Sequence, residues 1–409
     1  MFNLDYLRPI KRSLFERRLA SYEQLSRPLE IRRYGTSFLS PIKGDENELN
    51  AMENCVSERN GYGAIITPGT PPSQAGGTVV YGGFLRFVWG HFLMESMARM
   101  WAVVGNPELS DLPIVFFADD ADGGRLRRGT NYWRFFELLG VADRVRVITE
   151  GEWFDSIIVP ELAFSNEEFF HPAFVSVFDA VKRNVDLAAS SARRIFLTRS
   201  RLPKARKTDI GIEKIDALFR DNGFEVVSPE QLSLDQMIAM IANAEVVATV
   251  SGSVAHNLVF CNNRQETIVV ERYAVNNPFQ PAIHAMRQLP TTFVDACYGL
   301  HSVSPGAGPF FYAVTPELAR FVEDRGWTPG IPPQGKDLAR YVRSYNRRYP
   351  YAPVYEPWMM PEVAAVAEMS SATRSAFLPY VTGATPLFLS DALSPRRLAR
   401  RLLHLIRRR

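Results

Sequence analysis

The feature that most constrains the fold is a regular alternation of short apolar runs with longer amphipathic stretches, which starts near residue 79. An apolar run of about four to eight residues fits a strand buried on both faces, and a longer amphipathic stretch fits a helix that covers it. Between residues 224 and 296 a strand-like run recurs about every 22 residues, the spacing of a doubly wound sheet. The alternation therefore predicts an α/β fold with a mostly parallel sheet.

A polar stretch at residues 188–194 divides the alternation into two blocks. We expect one α/β domain at 76–190 and a second at 191–300, with a ligand cleft between them. The runs predicted as strands are 79–84, 113–117, 145–149, 156–160, 194–199, 224–229, 245–250, 267–272 and 291–296. The predicted helices are 85–104, around 131–140, 171–188, 211–221, 233–243, 253–260 and 278–288.

The two ends of the chain are less regular. The segment 1–75 predicts a polar amphipathic helix at 4–25 and then, at 36–75, a loop-rich stretch punctuated by proline and glycine. The segment 301–409 predicts a helical C-terminal extension that packs back across the domains. Its predicted helices lie near 316–324, 337–347 and 361–377, and it ends in a basic amphipathic helix at 394–409.

Charge is concentrated at these ends. The formal net charge is +3, but residues 1–35 carry +4 and residues 395–409 carry +7, so the body between them carries −8. A small total on an acidic body does not favour nucleic-acid binding. The last helix places leucines on one side and arginines on the other, which predicts that it lies on an anionic membrane surface. Docking on the acidic body of the protein is the alternative.

Cysteine content and apolar runs indicate the compartment. Cys55, Cys261 and Cys297 show no paired spacing, so we expect neither a disulfide framework nor a zinc site. No run approaches the roughly 18 apolar residues of a membrane span, and the N-terminal residues do not form a signal peptide. We expect a cytoplasmic protein, peripheral at the inner face of the membrane if the last helix binds there.

The predicted helix at 85–104 carries a candidate acid–base pair. His91 and Glu95 lie four residues apart, on the side opposite the apolar stripe that meets the sheet. A partly desolvated carboxylate can act as a general base, and a neighbouring imidazole can orient it or tune its pKa. The alternative is an exposed pair between Glu95 and Arg99.

A candidate anion site follows the run at 245–250, where Ser251, Gly252 and Ser253 lead into a helix. Gly252 allows close backbone approach, and the N–H groups at the start of the helix, residues 253–257, would face a phosphate. A tight connection without a ligand is the alternative. His256, in the first turn, also fits a cap or a packing residue.

Two further side chains stand at predicted strand ends. Arg199 leaves the run 194–199 at its carboxyl end, where α/β sheets bind ligands, and its guanidinium matches diphosphate oxygens. A solvated basic loop is the alternative for Arg199 and the basic residues after it. Glu271 could hold ribose hydroxyls or form an ion pair with Arg272.

In their order along the chain, these motifs resemble glycosyltransferase family 61, which includes bacterial capsular polysaccharide enzymes, plant xylan-decorating enzymes and animal O-GlcNAc and O-mannose-glycan transferases. The resemblance covers roughly 80–300. Its most specific part is represented by Glu230, Leu232, Ser233, Gln236, Ala244, Gly252, Asn257 and Phe260. The family's His-x-x-x-Asp/Glu pattern falls on His91 and Glu95, and its nucleotide-binding part falls on Arg199 and the turn 251–257. The chain departs from many members in having Glu rather than Asp at Glu95, and Ser251 where they have His. His256 either compensates for that His or is unrelated to it.

The resemblance implies a GT-B fold, two Rossmann-like domains facing a cleft, and an inverting glycosyltransferase. A nucleotide diphosphate sugar, a UDP-sugar, would bind the C-terminal domain as substrate, and no cofactor or metal would be required. Glu95 or His91 would deprotonate a hydroxyl of a glycan acceptor, free or lipid-linked, in capsular or other cell-surface polysaccharide synthesis. The residues expected to bind the nucleotide sugar are Arg199, Ser251, Gly252, Ser253, His256, Asn257 and Glu271. A non-catalytic sugar-nucleotide-binding scaffold in a polysaccharide assembly complex is the alternative function.

Overall fold

The structure is a computed structural model of the chain. The structure describes residues 2–58, 61–118, 125–166, 168–189, 193–203, 205–272, 277–298 and 308–331, together with Asp337, Arg340, Tyr341 and Ser344. The helix predicted near 337–347 lies mostly outside these residues. The helices predicted at 361–377 and 394–409 lie entirely outside them.

A six-stranded sheet, here called the C-terminal sheet, is parallel throughout. In spatial order its strands are Phe2–Tyr6, Thr291–Asp295, Glu266–Glu271, Val246–Val250, Arg194–Leu197 and Glu225–Val227. Counted from residue 194, the order across the sheet is second, first, third, fourth, fifth. The sheet thus grows in both directions from the gap between Arg194–Leu197 and Val246–Val250, which is the switch point at which sheets of this kind bind ligands.

A five-stranded sheet, here called the N-terminal sheet, repeats this principle. Its strands are Ile31–Tyr34, Ser156–Pro160, Thr78–Phe84, Ile114–Phe117 and Val145–Ile148, and only Ile31–Tyr34 is antiparallel to its neighbour. The strand order reverses beside Thr78–Phe84, the first of the parallel strands. The next two parallel strands lie on one side of it, and the last, Ser156–Pro160, lies on the other. The segment that carries His91 and Glu95 follows the carboxyl end of Thr78–Phe84.

Three smaller sheets contain the other strands of the described residues. They comprise Glu152–Phe154, Ser37–Lys43, Tyr62–Pro68 and Cys55–Glu58; Phe164–Ser165, Phe169–Phe170 and Glu23–Gln24; and Asp209–Ile210, Phe310–Tyr312 and Cys297–Tyr298. The prediction of a loop-rich stretch at 36–75 is therefore wrong. Antiparallel strands can leave one face in water, so Ser37–Lys43 alternates buried and partly exposed residues and lacks a continuous apolar run.

The helices mostly follow the predicted order. The α-helices are Pro9–Ser21, Glu46–Ala51, Trp89–His91, Trp101–Gly105, Asn131–Leu138, Ala173–Arg183, Ala205–Thr208, Ile212–Asp221, Leu234–Asn243, Phe279–Arg287 and Pro316–Asp324. Short 3₁₀ turns occur at Pro107–Leu109, Ala142–Arg144, Leu187–Ala189, Pro229–Gln231 and Ala255–Phe260, and Phe92–Ser96 is a π-helical turn. The mixed α/β architecture with parallel sheets is confirmed. Two of the helices predicted between 85 and 260 differ: 85–104 is not one continuous helix, and the helix predicted at 253–260 is a 3₁₀ turn at Ala255–Phe260.

The beginning of the chain belongs to the C-terminal sheet. Phe2–Tyr6 is an edge strand parallel to Thr291–Asp295, and the helix spans only Pro9–Ser21, so the prediction of one helix over 4–25 is wrong at both ends. The sequence of this strand alternates apolar and polar side chains, the period of a strand half exposed at a sheet edge. The helix starts at Pro9, a favoured first position, and contacts Phe279–Arg287. Glu23–Gln24 then pairs with Phe169–Phe170, which brings the chain to the N-terminal half.

The two halves pack directly on each other. One continuous hydrophobic core includes residues of both sheets and of the helices around them. Phe178 of the N-terminal half meets Phe260 of the C-terminal half edge to face, with ring centres 5.7 Å apart. None of the helices described here is long and apolar enough to cross a membrane.

Candidate active site between the two halves

The segment after Thr78–Phe84 changes its winding where the candidate acid–base pair lies. Trp89–His91 is an α-turn that continues into the π-turn Phe92–Ser96. π-turns frequently occur at functional sites because they re-aim the side chains they carry. The Ser96 hydroxyl accepts from the Arg86 N–H (2.9 Å) and donates to the Phe84 carbonyl (2.8 Å), which ties the turn to the end of the strand.

His91 and Glu95 form a close pair in this segment. His91 Nδ1 lies 2.8 Å from Glu95 Oε2, and the side chains are 33% and 13% exposed. Arg99 is only 4% exposed, donates to the Pro160 carbonyl and stacks on the Tyr81 ring. The alternative of a solvent-exposed pair between Glu95 and Arg99 is therefore wrong. The carboxylate and imidazole are close enough to share a proton.

On the other side, the strand Val246–Val250 ends in a turn that requires glycine. Gly252 has a φ of 110°, which side chains rarely tolerate. Ser251 is fully buried, and its hydroxyl accepts from the Arg272 N–H (3.1 Å). The 3₁₀ turn Ala255–Phe260 follows, so the anion site predicted here has a short helical turn rather than a long α-helix behind it.

A cavity of about 390 Å³ lies between the two halves at this point. It is lined by three of the residues predicted to bind the nucleotide sugar, Arg199, Ser253 and Asn257. The other lining residues are Val88, Trp89, Asn131 and Tyr132 from the N-terminal half, and Thr198, Leu202, Pro229, Glu230, Met237 and Val254 from the C-terminal half. The Trp89 indole N–H donates to Asn257 Oδ1 (2.7 Å) across the junction.

A second cavity of about 450 Å³ adjoins the first, because Asn131 and Tyr132 line both. Its other walls are Phe87, Arg125, Arg127 and Thr130, all in the N-terminal half. The predicted acid–base pair, His91 and Glu95, is not among the residues that line either cavity.

Arg199 is supported from behind by a buried acidic residue. Its side chain is 16% exposed, and its Nη1 lies 3.8 Å from Asp209 Oδ2, a carboxylate with no solvent exposure. Arg272 Nη1 lies 3.3 Å from the same oxygen, and its guanidinium stacks on Phe310 at 4.4 Å. Asp209 thus lies near two arginines. Of these two, Arg199 lines the cavity and Arg272 does not.

Glu230 reaches the same cavity. Burial raises the pKa of its carboxyl above the usual range, although the charges of Arg199 and Arg201 act in the opposite direction. The sequence motif included Glu230 without assigning it a role. Nothing in the sequence indicated Asp209, Trp89 or Tyr132, because their positions depend on how the two halves pack.

Four of the residues predicted to bind the nucleotide sugar, Ser251, Gly252, His256 and Glu271, are not among those that line the cavity. Glu271 is fully buried, and burial raises its pKa to about 7, against the opposing effects of Lys11 and the Ser251 hydroxyl. His256 is 2% exposed, and burial lowers its pKa to about 4. Neither lines the cavity, so the ribose contact expected of Glu271 and the phosphate contact expected of His256 remain predictions.

The protein is thus of the α/β class, with two mainly parallel sheets and a cavity lined by residues of both halves. Residues 89–270 match the family model of Glycosyltransferase 61, so the chain carries a glycosyltransferase 61 domain, and the resemblance predicted from its motifs is confirmed. The matched segment contains His91, Glu95, Arg199 and the turn 251–257. The family indicates glycosyltransferase activity. No curated protein matched the sequence.

The described part of the chain contains no group of three or more His, Cys, Asp or Glu side chains arranged to hold a metal ion.

Proposed function

We propose that the protein is an inverting glycosyltransferase that moves a sugar from a nucleotide diphosphate sugar, a UDP-sugar, to a hydroxyl of a glycan acceptor. The observation that carries the proposal is a single cavity with Arg199, Ser253 and Asn257 on its C-terminal wall and Trp89 on its N-terminal wall. Trp89 stands two residues before His91, which pairs with Glu95. A GT-B enzyme needs an acid–base group beside its donor site, and we propose that His91 and Glu95 supply it, although they are not among the residues that line the cavity.

The C-terminal wall suits the donor. A guanidinium at Arg199 can bind two diphosphate oxygens at once, and the backbone after Gly252 can approach a phosphate closely. Leu202, Met237 and Val254 give the same cavity an apolar surface on which a base and ribose can pack.

The second cavity suits the acceptor. It lies in the N-terminal half, joins the donor cavity through Asn131 and Tyr132, and presents aromatic rings at Phe87 and Tyr132. Aromatic rings stack on the apolar faces of sugars, and the polar side chains around them can bind hydroxyls. We propose that the reacting hydroxyl extends from this cavity past Trp89 toward His91, which follows Trp89 by two residues.

The reaction is then a single in-line displacement. The acceptor oxygen attacks the anomeric carbon as the bond from that carbon to the diphosphate oxygen breaks, so the configuration inverts. The hydroxyl proton goes to Glu95, or to Nε2 of His91 if its Nδ1–H donates to Glu95. Arg199 and the N–H groups beside Ser253 stabilise the negative charge that grows on the leaving diphosphate, and we propose that they do so without a divalent metal.

The test compares Glu95→Gln with the wild type in transfer assays over a panel of UDP-sugars and glycan acceptors. We expect Glu95→Gln to lower kcat by about 10²-fold or more, because an amide cannot take the proton. A loss of only about 10-fold, with a larger loss in His91→Gln, makes His91 the base. Glu108→Gln, an exposed glutamate of the same half, is the control and should stay active.

Two results would count against this proposal. Full activity of both Glu95→Gln and His91→Gln would remove the catalytic role of the pair. A wild type that binds UDP but transfers no sugar to any acceptor would favour the sugar-nucleotide-binding scaffold.

We also propose that the enzyme acts in capsular or other cell-surface polysaccharide synthesis, from the cytoplasmic face of the membrane. The seven arginines at 395–409 support this placement, because a basic amphipathic helix binds anionic lipid headgroups. Deleting residues 394–409 should abolish sedimentation with anionic vesicles and leave transfer to a water-soluble acceptor intact. Unchanged vesicle binding would contradict the placement.

A further inference from the structure

Gly90 of the N-terminal half and His256 of the C-terminal half approach too closely for any other residue at position 90. A Cβ on Gly90 would lie 2.1 Å from His256 Nδ1 and 2.7 Å from Cε1 of the same ring. Gly90 lies in the helical turn Trp89–His91 and does not have a positive φ, so its backbone conformation does not require glycine. The neighbouring imidazole demands it.

The His256 ring is also held from its other side. Its Nε2 lies 3.1 Å from Asn277 Oδ1, an oxygen that accepts from the Phe279 N–H (3.0 Å), so Nε2 is the donor and Nδ1 carries the lone pair. The Phe279 ring packs edge to face on His256 at 5.0 Å and on His91 at 5.6 Å. His256 is therefore wedged between Gly90 and the start of Phe279–Arg287.

A second contact lies one residue away on each segment. Trp89 donates to Asn257 Oδ1 (2.7 Å), and the amide group of Asn257 is oriented by its own bond from Nδ2 to the Val254 carbonyl (2.9 Å). Residues 89 and 90 are thus in register with residues 257 and 256. His91 follows directly on one segment, and Asn257 lines the donor cavity on the other.

We propose that His256 is a positioning residue, which sets the distance between the His91/Glu95 pair and the turn 251–257 by packing against Gly90. The proposal rests on the proposed function for the substrates that these two groups hold. The charged or titratable groups that act on the His256 ring are His91 and Glu95, and Asn277 and Gly90 supply its polar surroundings. A buried neutral ring is a rigid spacer between two backbones, and no proton transfer is assigned to it.

This role predicts a specific kinetic defect. A methyl group at position 90 must push the two segments apart by more than 1 Å to reach ordinary contact with the ring, and a misplacement of that size can cost about 10²-fold in rate. Arg199 and Ser253 stay together on the C-terminal half. We therefore expect Gly90→Ala to lower kcat by about 10- to 100-fold while the Kd for UDP changes by less than about threefold.

The experiment uses four full-length variants: Gly90→Ala, His256→Ala, the double variant, and Gly105→Ala. Gly105 is the control, because a Cβ there meets no atom within 4 Å. Each variant is measured for kcat, for UDP binding by calorimetry and for melting temperature. The double variant should regain at least about tenfold in kcat over Gly90→Ala, since the added methyl group enters the space that the imidazole leaves.

Several outcomes overturn the inference. It fails if Gly90→Ala behaves like Gly105→Ala, if the double variant is no better than Gly90→Ala, or if UDP affinity falls as much as kcat. If Gly90→Ala does not fold, a double variant that folds supports the contact and one that does not fold contradicts it. A wild type without transfer activity overturns the proposed function instead, and additive changes in melting temperature would then still overturn the Gly90/His256 contact.

Discussion

Arg199 lines the donor cavity with its guanidinium 3.8 Å from Asp209, beyond ordinary hydrogen-bond distance. A buried carboxylate at that distance orients the side chain and leaves its N–H fork able to bind a ligand. In the proposed function, Arg199 binds the anionic donor as one placed cation, so the acidic body of the chain needs no basic surface for it. Arg199 was predicted at the carboxyl end of the run 194–199, and it lies two residues beyond the end of the strand Arg194–Leu197.

We predict that Arg199→Gln weakens UDP binding about 10- to 100-fold, because hydrogen bonds to charged groups contribute about 1.5–3 kcal/mol. Isothermal titration with UDP measures the effect. Arg201→Gln is the matched control, since it removes the same charge from an exposed position two residues along the same loop and should change the Kd by less than about threefold. Equal losses in the two variants would mean that UDP senses only the net charge of the loop.

Among the elements, those that the sequence predicted best are the buried parallel strands. Ile114–Phe117, Ser156–Pro160 and Val246–Val250 are covered on both faces, so their apolar runs are continuous and their bounds follow within a residue or two. Phe2–Tyr6 and Ser37–Lys43 were missed because each is exposed on one face or at an edge. The alternation of apolar and polar residues is short in both strands. The helix pattern that follows hides it in Phe2–Tyr6, and a proline interrupts it in Ser37–Lys43.

The segment around the candidate base shows a different limit. The i, i+4 spacing of His91 and Glu95 correctly paired them, but the same periodicity predicted one helix through 85–104. The π-turn Phe92–Ser96 breaks that period, and it depends on Ser96 bonding to the end of a strand that lies ten or more residues earlier. The spacing of apolar residues gives no information about such a hydrogen bond, so it cannot predict the π-turn.

The motif before the strand Val246–Val250 is partly structural. The Ser233 hydroxyl accepts from the Gln236 N–H (3.2 Å), and the Gln236 side chain accepts from the Ser233 N–H (3.0 Å), which is a capping box at the start of Leu234–Asn243. These two residues of the family resemblance therefore fix a helix start. Glu230, three residues earlier, is the one that lines the cavity.

At the scale of the whole molecule, the sequence predicted two α/β blocks and a cleft but not how the chain connects them. The first strand lies at the edge of the C-terminal sheet, almost 290 residues from its partner Thr291–Asp295. Arg134 of the N-terminal half makes a two-pronged contact with Asp235 of the C-terminal half (2.9 and 2.8 Å). The Gly90/His256 approach is a third such link. Each joins residues whose proximity only the folded chain determines.

The link at the start of the chain is anchored by a buried carboxylate. Asp295, at the end of its strand, has no exposed side-chain surface and accepts from Arg8 and from Lys11 Nζ (2.6 Å), which are themselves 3% and 2% exposed. Burial alone would raise the pKa of Asp295, but the charges and hydrogen bonds of Arg8 and Lys11 outweigh burial and lower it. The carboxylate therefore favours the folded state when ionised.

We predict that Asp295→Asn lowers the free energy of unfolding at pH 7 by about 3 kcal/mol, because it removes the buried carboxylate charge that Arg8 and Lys11 both contact. The control is Asp324→Asn, which alters an exposed carboxylate that accepts from the Tyr6 hydroxyl (2.8 Å) of the first strand and should cost less than about 1 kcal/mol.

Since the folded pKa of Asp295 is depressed, its contribution to stability is complete above the unfolded pKa of about 3.9 and is lost as the pH falls through the folded value. Urea unfolding at pH 5 should thus give the full difference between wild type and Asp295→Asn, and the difference should shrink below about pH 4. A difference that does not shrink below about pH 4, or one at pH 5 no larger than that of Asp324→Asn, would show that these ion pairs do not hold the first strand in the C-terminal sheet.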